Sequence, residues 1–181
     1  LLLVDDGSRE DIREDPRFSN YLRNSSVFLE RHSENLGVAA ARNTGIRWVL
    51  DRDYDLLLMT DSDCSIPNSF ISDHLEAHKR YPRIPVIIGA IRGEGHTLWA
   101  RLDQLMTWFH CFPGNHEGIV RAPYSAPTAN ISLKVRVLPF GRYYFDEFLR
   151  TGEDTAFSRK VRTAGFDIVF SPHPEVGHRD R

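Results

Sequence analysis

Leu56-Leu57-Leu58-Met59-Thr60-Asp61-Ser62-Asp63-Cys64 is the stretch on which the fold turns. Four large apolar residues in a row predict a strand buried on both faces, as in the middle of a parallel sheet. The strand runs directly into two carboxylates separated by one residue. Ligand crevices of open α/β sheets lie outside the carboxyl ends of the strands. Two acids held close together there need a positive partner, and a divalent cation bridging to a phosphate group supplies one. In an extended backbone Asp61 and Asp63 point to the same side and can face one ligand. The plainer account makes them solvated turn residues or a helix cap, although Ser65 or Asn68 could cap the next helix as well. A calcium loop is excluded, because Ile66 stands where its turn needs glycine and Ser72 where it needs glutamate.

Working upstream, Leu1–Val4 reads as a buried strand that ends in the turn Asp5-Asp6-Gly7-Ser8. The absence of a polar lead-in gives the expectation that a first strand and helix precede it. One or two charged helices follow around residues 9–23, interrupted by Pro16. A second strand covers Val27–Glu30, and Asn35-Leu36-Gly37 turns into a helix from Val38 to about Leu50. Asp5-Asp6 repeats the pattern of acids at a strand end. Taken alone these acids are turn residues, with Ser8 as an N-cap. Two such strand ends in one parallel sheet would open into one crevice, where a carboxylate suits a nucleobase N–H or a ribose hydroxyl. For Arg42, phosphate binding and an ordinary exposed helix arginine stand level.

Downstream, Pro67 suits a first helical turn, and the helix it opens runs to about Tyr81. Val86–Ala90 is a buried strand. A turn at Gly93 and Gly95 leads to a helix with Leu98, Leu102, Leu105, Met106 and Phe109 on its apolar side. Residues 111–127 are polar and aperiodic, so a loop is expected there. Asn130–Leu133 and Ile168–Phe170 read as strands, and between them a helix starts at Glu153-Asp154 and closes at Gly165. Glu153 and Asp154 complement the helix dipole, and the dipole also keeps such a carboxylate ionised and usable as a base. His178 is a lone histidine in the tail, and spacing cannot assign it. Strands alternating with helices predict an α/β fold, a mainly parallel sheet with helices on both faces, in one domain over 1–181.

Composition bounds the function. The 181 residues are 41% hydrophobic and 27% charged, with net charge −2, so no basic footprint marks nucleic-acid binding. No apolar run reaches the roughly 20 residues that span a bilayer. Cys64 and Cys111 form no disulfide framework and fit two reduced thiols in a cytosolic protein.

Taken in order, Val4–Ser8, Asn35-Leu36-Gly37 with Ala41-Arg42-Asn43-Thr44-Gly45, Asp61-Ser62-Asp63, Asn130–Leu133, Phe145-Asp146-Glu147, Gly152-Glu153-Asp154 and Val176-Gly177-His178 resemble the motifs of the family 2 glycosyltransferases. The resemblance covers nearly the whole chain and implies the GT-A (Rossmann-like) fold, with the first strand missing from this chain. It implies metal-dependent, inverting transfer of a hexosyl or N-acetylhexosaminyl group from a nucleotide-sugar, with a UDP-sugar first, to a glycan or lipid-linked hydroxyl acceptor. Asp6 would bind the donor base and Arg42 the nucleotide or diphosphate. Asp61 would hold the ribose or share the metal. Asp63 and His178 would ligate Mn²⁺ or Mg²⁺, and Asp154 would be the general base. Asn130 would lie on the acceptor side. Trp99, Trp108 and His110 are candidates for sugar stacking, although core packing explains them more simply. The expected place is the cytoplasm, with peripheral association at the inner face of the membrane left open.

Two rivals remain. A nucleotidyltransferase would need a glycine-rich, lysine-containing phosphate loop after its first strand. A non-catalytic nucleotide-sugar-binding module would have no use for both Asp63 and Asp154.

Overall fold

A computed structural model describes residues 1–95 and 97–179. In chain order its main elements are β1 (Leu2–Asp5), α1 (Pro16–Leu22), β2 (Phe28–Arg31), α2 (Val38–Asp51), β3 (Leu56–Met59), β4 (Cys64–Ser65), α3 (Phe70–Arg80) and β5 (Val86–Gly93). There follow α4 (Leu98–Trp108), β6 (Gly118–Ile119), β7 (Ile131–Lys134), α5 (Glu153–Thr163) and β8 (Ile168–His178). The chain packs as two compact units, Leu1–Tyr54 with Phe140–Ala156, and Asp55–Pro139 with Phe157–Arg181.

In the first unit β1 and β2 pair in parallel, Leu2 opposite Phe28 and Asp5 opposite Arg31. The strand ends therefore lie side by side, and α2 packs against β1. Gly7 turns the chain after β1 with φ +69°, and a side chain there would run into the backbone of Glu34 and Asn35. Only glycine permits this turn without strain. Along α2 the buried side is Ala39, Ala40, Asn43, Ile46 and Val49, a helical spacing that leaves Arg42 at its edge. Trp48 packs on Phe28 with ring centroids 4.9 Å apart, which fastens α2 to β2.

The second unit is built on a six-stranded sheet, ordered β3-β7-β5-β8-β4, with β6 added to β8. The α/β class holds, but the sheet is mixed rather than mainly parallel. β7 runs antiparallel between β3 and β5, β8 runs parallel to β5, and β4 and β6 run antiparallel to β8. A hydrophobic run shows burial and carries no direction. Within this sheet β3 ends the strand order and is only part-buried, so the fully buried centre lies elsewhere, in Val86, Ile87, Ile88, Ile131, Leu133 and Ile168.

β8 is much longer than the expected Ile168–Phe170 and takes in the supposed tail as far as His178. Ile88 pairs with Phe170 and Ala90 with Glu175, so residues 171–174 bulge out of the ladder. Pro172 and Pro174 lack the N–H a ladder requires, and the bulge is where the strand tolerates them. This extension carries His178 alongside β4, with Cys64 opposite His178 and Ser65 opposite Gly177.

The apolar side of α4 does not enter a core. Leu98 is 70% exposed, Trp99 79% and Met106 78%, so neither core packing nor a buried helix describes them. At the end of the same helix Trp108 is half-buried against the cluster of Phe70, Ile91, Ala129 and Val176.

Candidate active site

In the first unit the acids at the end of β1 divide their work. Asp5 is buried, and its carboxylate accepts a hydrogen bond from Ser8 N (2.9 Å) and one from Arg31. Burial pushes its pKa up, but the Ser8 bonds and the Arg31 guanidinium outweigh that and hold it below the ordinary carboxylate value. Asp6 accepts from Leu36 N (2.9 Å) and Gly37 N (2.8 Å), beside the N-terminus of α2, and meets His32 Nδ1 at 2.7 Å. An ionised carboxylate offers about four acceptor positions. Three are used, which leaves room for one further N–H or O–H donor. His32 Nε2 in turn lies 2.9 Å from Thr44 Oγ1, so the ring ties Asp6 to α2. His32 follows β2 as Asp6 follows β1, so the parallel register brings the two side by side.

Arg42 Nη1 donates to Glu153 Oε1 (2.6 Å) and Asp154 Oδ1 (3.1 Å) in the first turn of α5. The Arg42 and Glu153 side chains are each 12% exposed, and Asp154 is 24% exposed. The Arg42 guanidinium stands over the Phe145 ring at 5.5 Å. The buried Asn43 accepts from Tyr144 N and Phe145 N (each 3.0 Å) and donates to Phe145 O and Glu147 Oε1 (each 2.8 Å). Two consecutive residues of α2 thus hold the chain on both sides of Asp146–Gly152.

In the second unit Asp61 and Asp63 lie between β3 and β4. The backbone here is a turn, with Cys64 N donating to Asp61 O at 3.1 Å, so the same-side rule for extended chain does not govern the two acids. Asp63 is brought to His178 by the β4–β8 pairing, Oδ1 to Nε2 3.7 Å, and Arg179 N donates to Asp63 O at 3.0 Å. Ligand atoms of Asp63, Cys64 and His178 lie within 4.8 Å of one another, and Asp61 is outside that group. Burial raises the Cys64 pKa, which favours the thiol over the thiolate a metal takes. One carboxylate oxygen and one imidazole nitrogen suit Mn²⁺ or Mg²⁺, whereas a thiol is the softer donor these cations take less readily.

Trp108 packs on His178 with ring centroids 5.6 Å apart. Ser65 Oγ donates to Glu94, and Glu94 N donates to His178 O at 2.8 Å. Gly177 permits this crowding, since a side chain there would strike Ser65 and Glu94. Glu94 went unread in the sequence, although an acid between two glycines at the end of β5 repeats the pattern of Asp6. His110 stacks on Tyr124 and bonds Ser125 O at 3.1 Å, a structural use.

Asn130 does not face an acceptor. It is fully buried, with Oδ1 2.9 Å from His74 Nε2 and with Nδ2 donating to Ala90 O and Pro174 O, each 2.8 Å. Its amide serves the bulged backbone of β5 and β8, whose carbonyls the irregular register leaves without ladder partners.

A mixed sheet in which β8 brings a carboxylate and an imidazole together is consistent with the GT-A fold. The family model described as "Glycosyl transferase family 2" matches residues 1–136, and the chain belongs to that family. Among solved structures, GalNAc-T7 with UDP, GalNAc and Mn²⁺ superposes with a TM-score of 0.68 at 16% identity, over 99% of this chain and 37% of that one. TarS residues 1–349 from S. aureus in complex with UDP-GlcNAc superposes with a TM-score of 0.71 at 17% identity, over 99% of this chain and 49% of that one. The chain thus spans less than half the length of either. No curated protein sequence matches it. Among the described residues no helix is long and apolar enough to cross a membrane.

Proposed function

We propose that this chain is the donor-side domain of a metal-dependent, inverting glycosyltransferase that moves a sugar from a UDP-sugar to a hydroxyl of a glycan or lipid-linked acceptor. The observation that carries the reading is the pairing of β4 with β8, which sets the Asp63 carboxylate against the His178 imidazole in a chain of this family. UDP in the GalNAc-T7 structure and UDP-GlcNAc in that of TarS support uridine as the donor base and a hexosyl or N-acetylhexosaminyl group as the cargo.

Asp63 and His178 would hold Mn²⁺ or Mg²⁺, with Asp61 at the ribose or sharing the metal. A cation bound there supplies charge neutralisation for the departing diphosphate. Asp6 uses its remaining acceptor position on the donor base. Asp154, the more exposed of the two acids on Arg42, takes the proton from the acceptor hydroxyl. Asp154 acting as a general base, with no covalent intermediate, gives inversion at the anomeric carbon.

The test is UDP release from UDP-N-acetylglucosamine and UDP-glucose by the full-length protein, with Mn²⁺ and with EDTA. Metal-dependent UDP formation that Asp154→Asn lowers by about 10²–10⁴-fold is expected. Release of pyrophosphate, or turnover untouched by that substitution, would remove the assignment.

A further inference from the structure

We propose that Arg42 and Asn43 are positioning residues for Asp154: one turn of α2 grips the chain on either side of an exposed loop and so aims the base. The inference rests on the reading of Asp154 as that base. Its physical content is a chain of contacts within the first unit. Asn43 satisfies the backbone of Tyr144 and Phe145 with both ends of its amide. Phe145, so placed, lies under the Arg42 guanidinium, whose Nη1 then reaches Glu153 and Asp154 together. Between the grips the chain is in solvent: Asp146, Glu147 and Phe148 are exposed, as are Arg150 to Gly152, and Phe148 is 97% exposed. That loop has little buried surface with which to hold Asp154 by itself.

The two acids are not equivalent. Glu153 takes the shorter charge-assisted bond and is the more buried, which marks it as the anchor. Asp154 has the longer contact and twice the exposure, which marks it as the acid able to meet a hydroxyl. Arg42 fits this task better than lysine, because its planar guanidinium lies over the Phe145 ring while Nη1 reaches both carboxylates. A base displaced by about 1 Å loses on the order of 10²-fold in rate.

The deciding experiment is epistasis, read as UDP release from UDP-N-acetylglucosamine with Mn²⁺ in the full-length protein. Arg42→Ala should lower kcat by about 10²-fold with KM for the donor unchanged. Arg42→Lys should recover part of the loss, and Glu153→Gln should fall between it and the parent. Arg42→Ala combined with Asp154→Asn should be no slower than Asp154→Asn alone, since Arg42 acts through that residue. A further loss in the double variant, or a raised donor KM in the single one, would overturn the clamp and place Arg42 on the donor alone. If Arg42→Ala does not fold, Arg42→Lys and Glu153→Gln in the Asp154→Asn background carry the same comparison. Full turnover by Asp154→Asn would overturn the base and the clamp together, whereas loss there with full turnover in the Arg42 and Glu153 variants would overturn the clamp only.

Discussion

Cys64 and His178 are direct partners across an antiparallel pair of strands, and that pairing brings the neighbouring Asp63 carboxylate within 3.7 Å of the His178 imidazole. Two residues of β4 fix the register, and the side chains of Asp63 and His178 converge beside it.

The first prediction follows from that convergence. Asp63→Ala and His178→Ala should each weaken Mn²⁺-supported UDP binding by at least about 10–100-fold, the range seen even for groups one step removed from a metal. Binding in EDTA should be equally weak in parent and variants. Calorimetric titration of UDP with and without Mn²⁺ decides the matter, and an unchanged Mn²⁺ effect in both variants would exclude the pair as ligands.

Cys64 separates proximity from ligation. Its thiol is kept protonated by burial and rests against the cluster of Phe70, Ile91, Ala129 and Val176. Cys64→Ala should cost about 1 kcal/mol in urea unfolding through lost packing, with Mn²⁺-dependent UDP affinity retained. A fall in that affinity as large as the one for Asp63→Ala would make Cys64 a ligand.

Asn43 gives a prediction about stability. Its replacement by Ala strands two buried backbone N–H groups, at Tyr144 and Phe145, together with the Phe145 carbonyl. A loss of about 2–4 kcal/mol is expected in urea unfolding. Asn43→Asp keeps both acceptor contacts but sets a buried carboxylate oxygen against Phe145 O and Glu147 Oε1, so it should cost at least as much as Asn43→Ala. A loss under about 0.5 kcal/mol for Asn43→Ala would show that the 144–147 segment is held by something else.

These residues also show what was legible in the sequence. Acids and glycines at strand ends reveal themselves, because a turn needs glycine and a crevice exposes polar groups. Asp6, Asp63 and Glu153-Asp154 were readable for that reason. The partner of each acid was not. His32 and the second half of β8 are defined by register, and register depends on which strands meet, which a hydrophobic run does not encode. Asn130 misled in the opposite direction. The family resemblance implied an acceptor-side place for it, but here a bulge in β5 and β8 leaves buried carbonyls that its amide serves. The exposed side of α4 escaped the same logic, since helical periodicity predicts an apolar face and does not say what covers it.

The last prediction concerns pH. His74 and His78, one turn apart on α3, bond Asn130 and Ser132 of the chain entering β7, each at 2.9 Å. Both are buried. Burial pushes each imidazole down to about 4 from 6.5; for His78 the Lys134 charge and His74 add to the effect, while Asn130 and Asp73 oppose it at His74. Because the folded value lies below the unfolded one, the unfolded chain binds more protons between those limits. The contribution is complete above about pH 6.5 and drains as pH falls toward 4. At pH 5 the loss amounts to about 2 kcal/mol per histidine, less for the two together because each already disfavours the other's charge. Urea unfolding at pH 7 and at pH 5 should therefore show a lower midpoint at pH 5. His78→Gln should reduce that difference, since glutamine can keep the contact to Ser132 without titrating. Equal midpoints at the two pH values would mean that the pair is not held neutral in the folded protein.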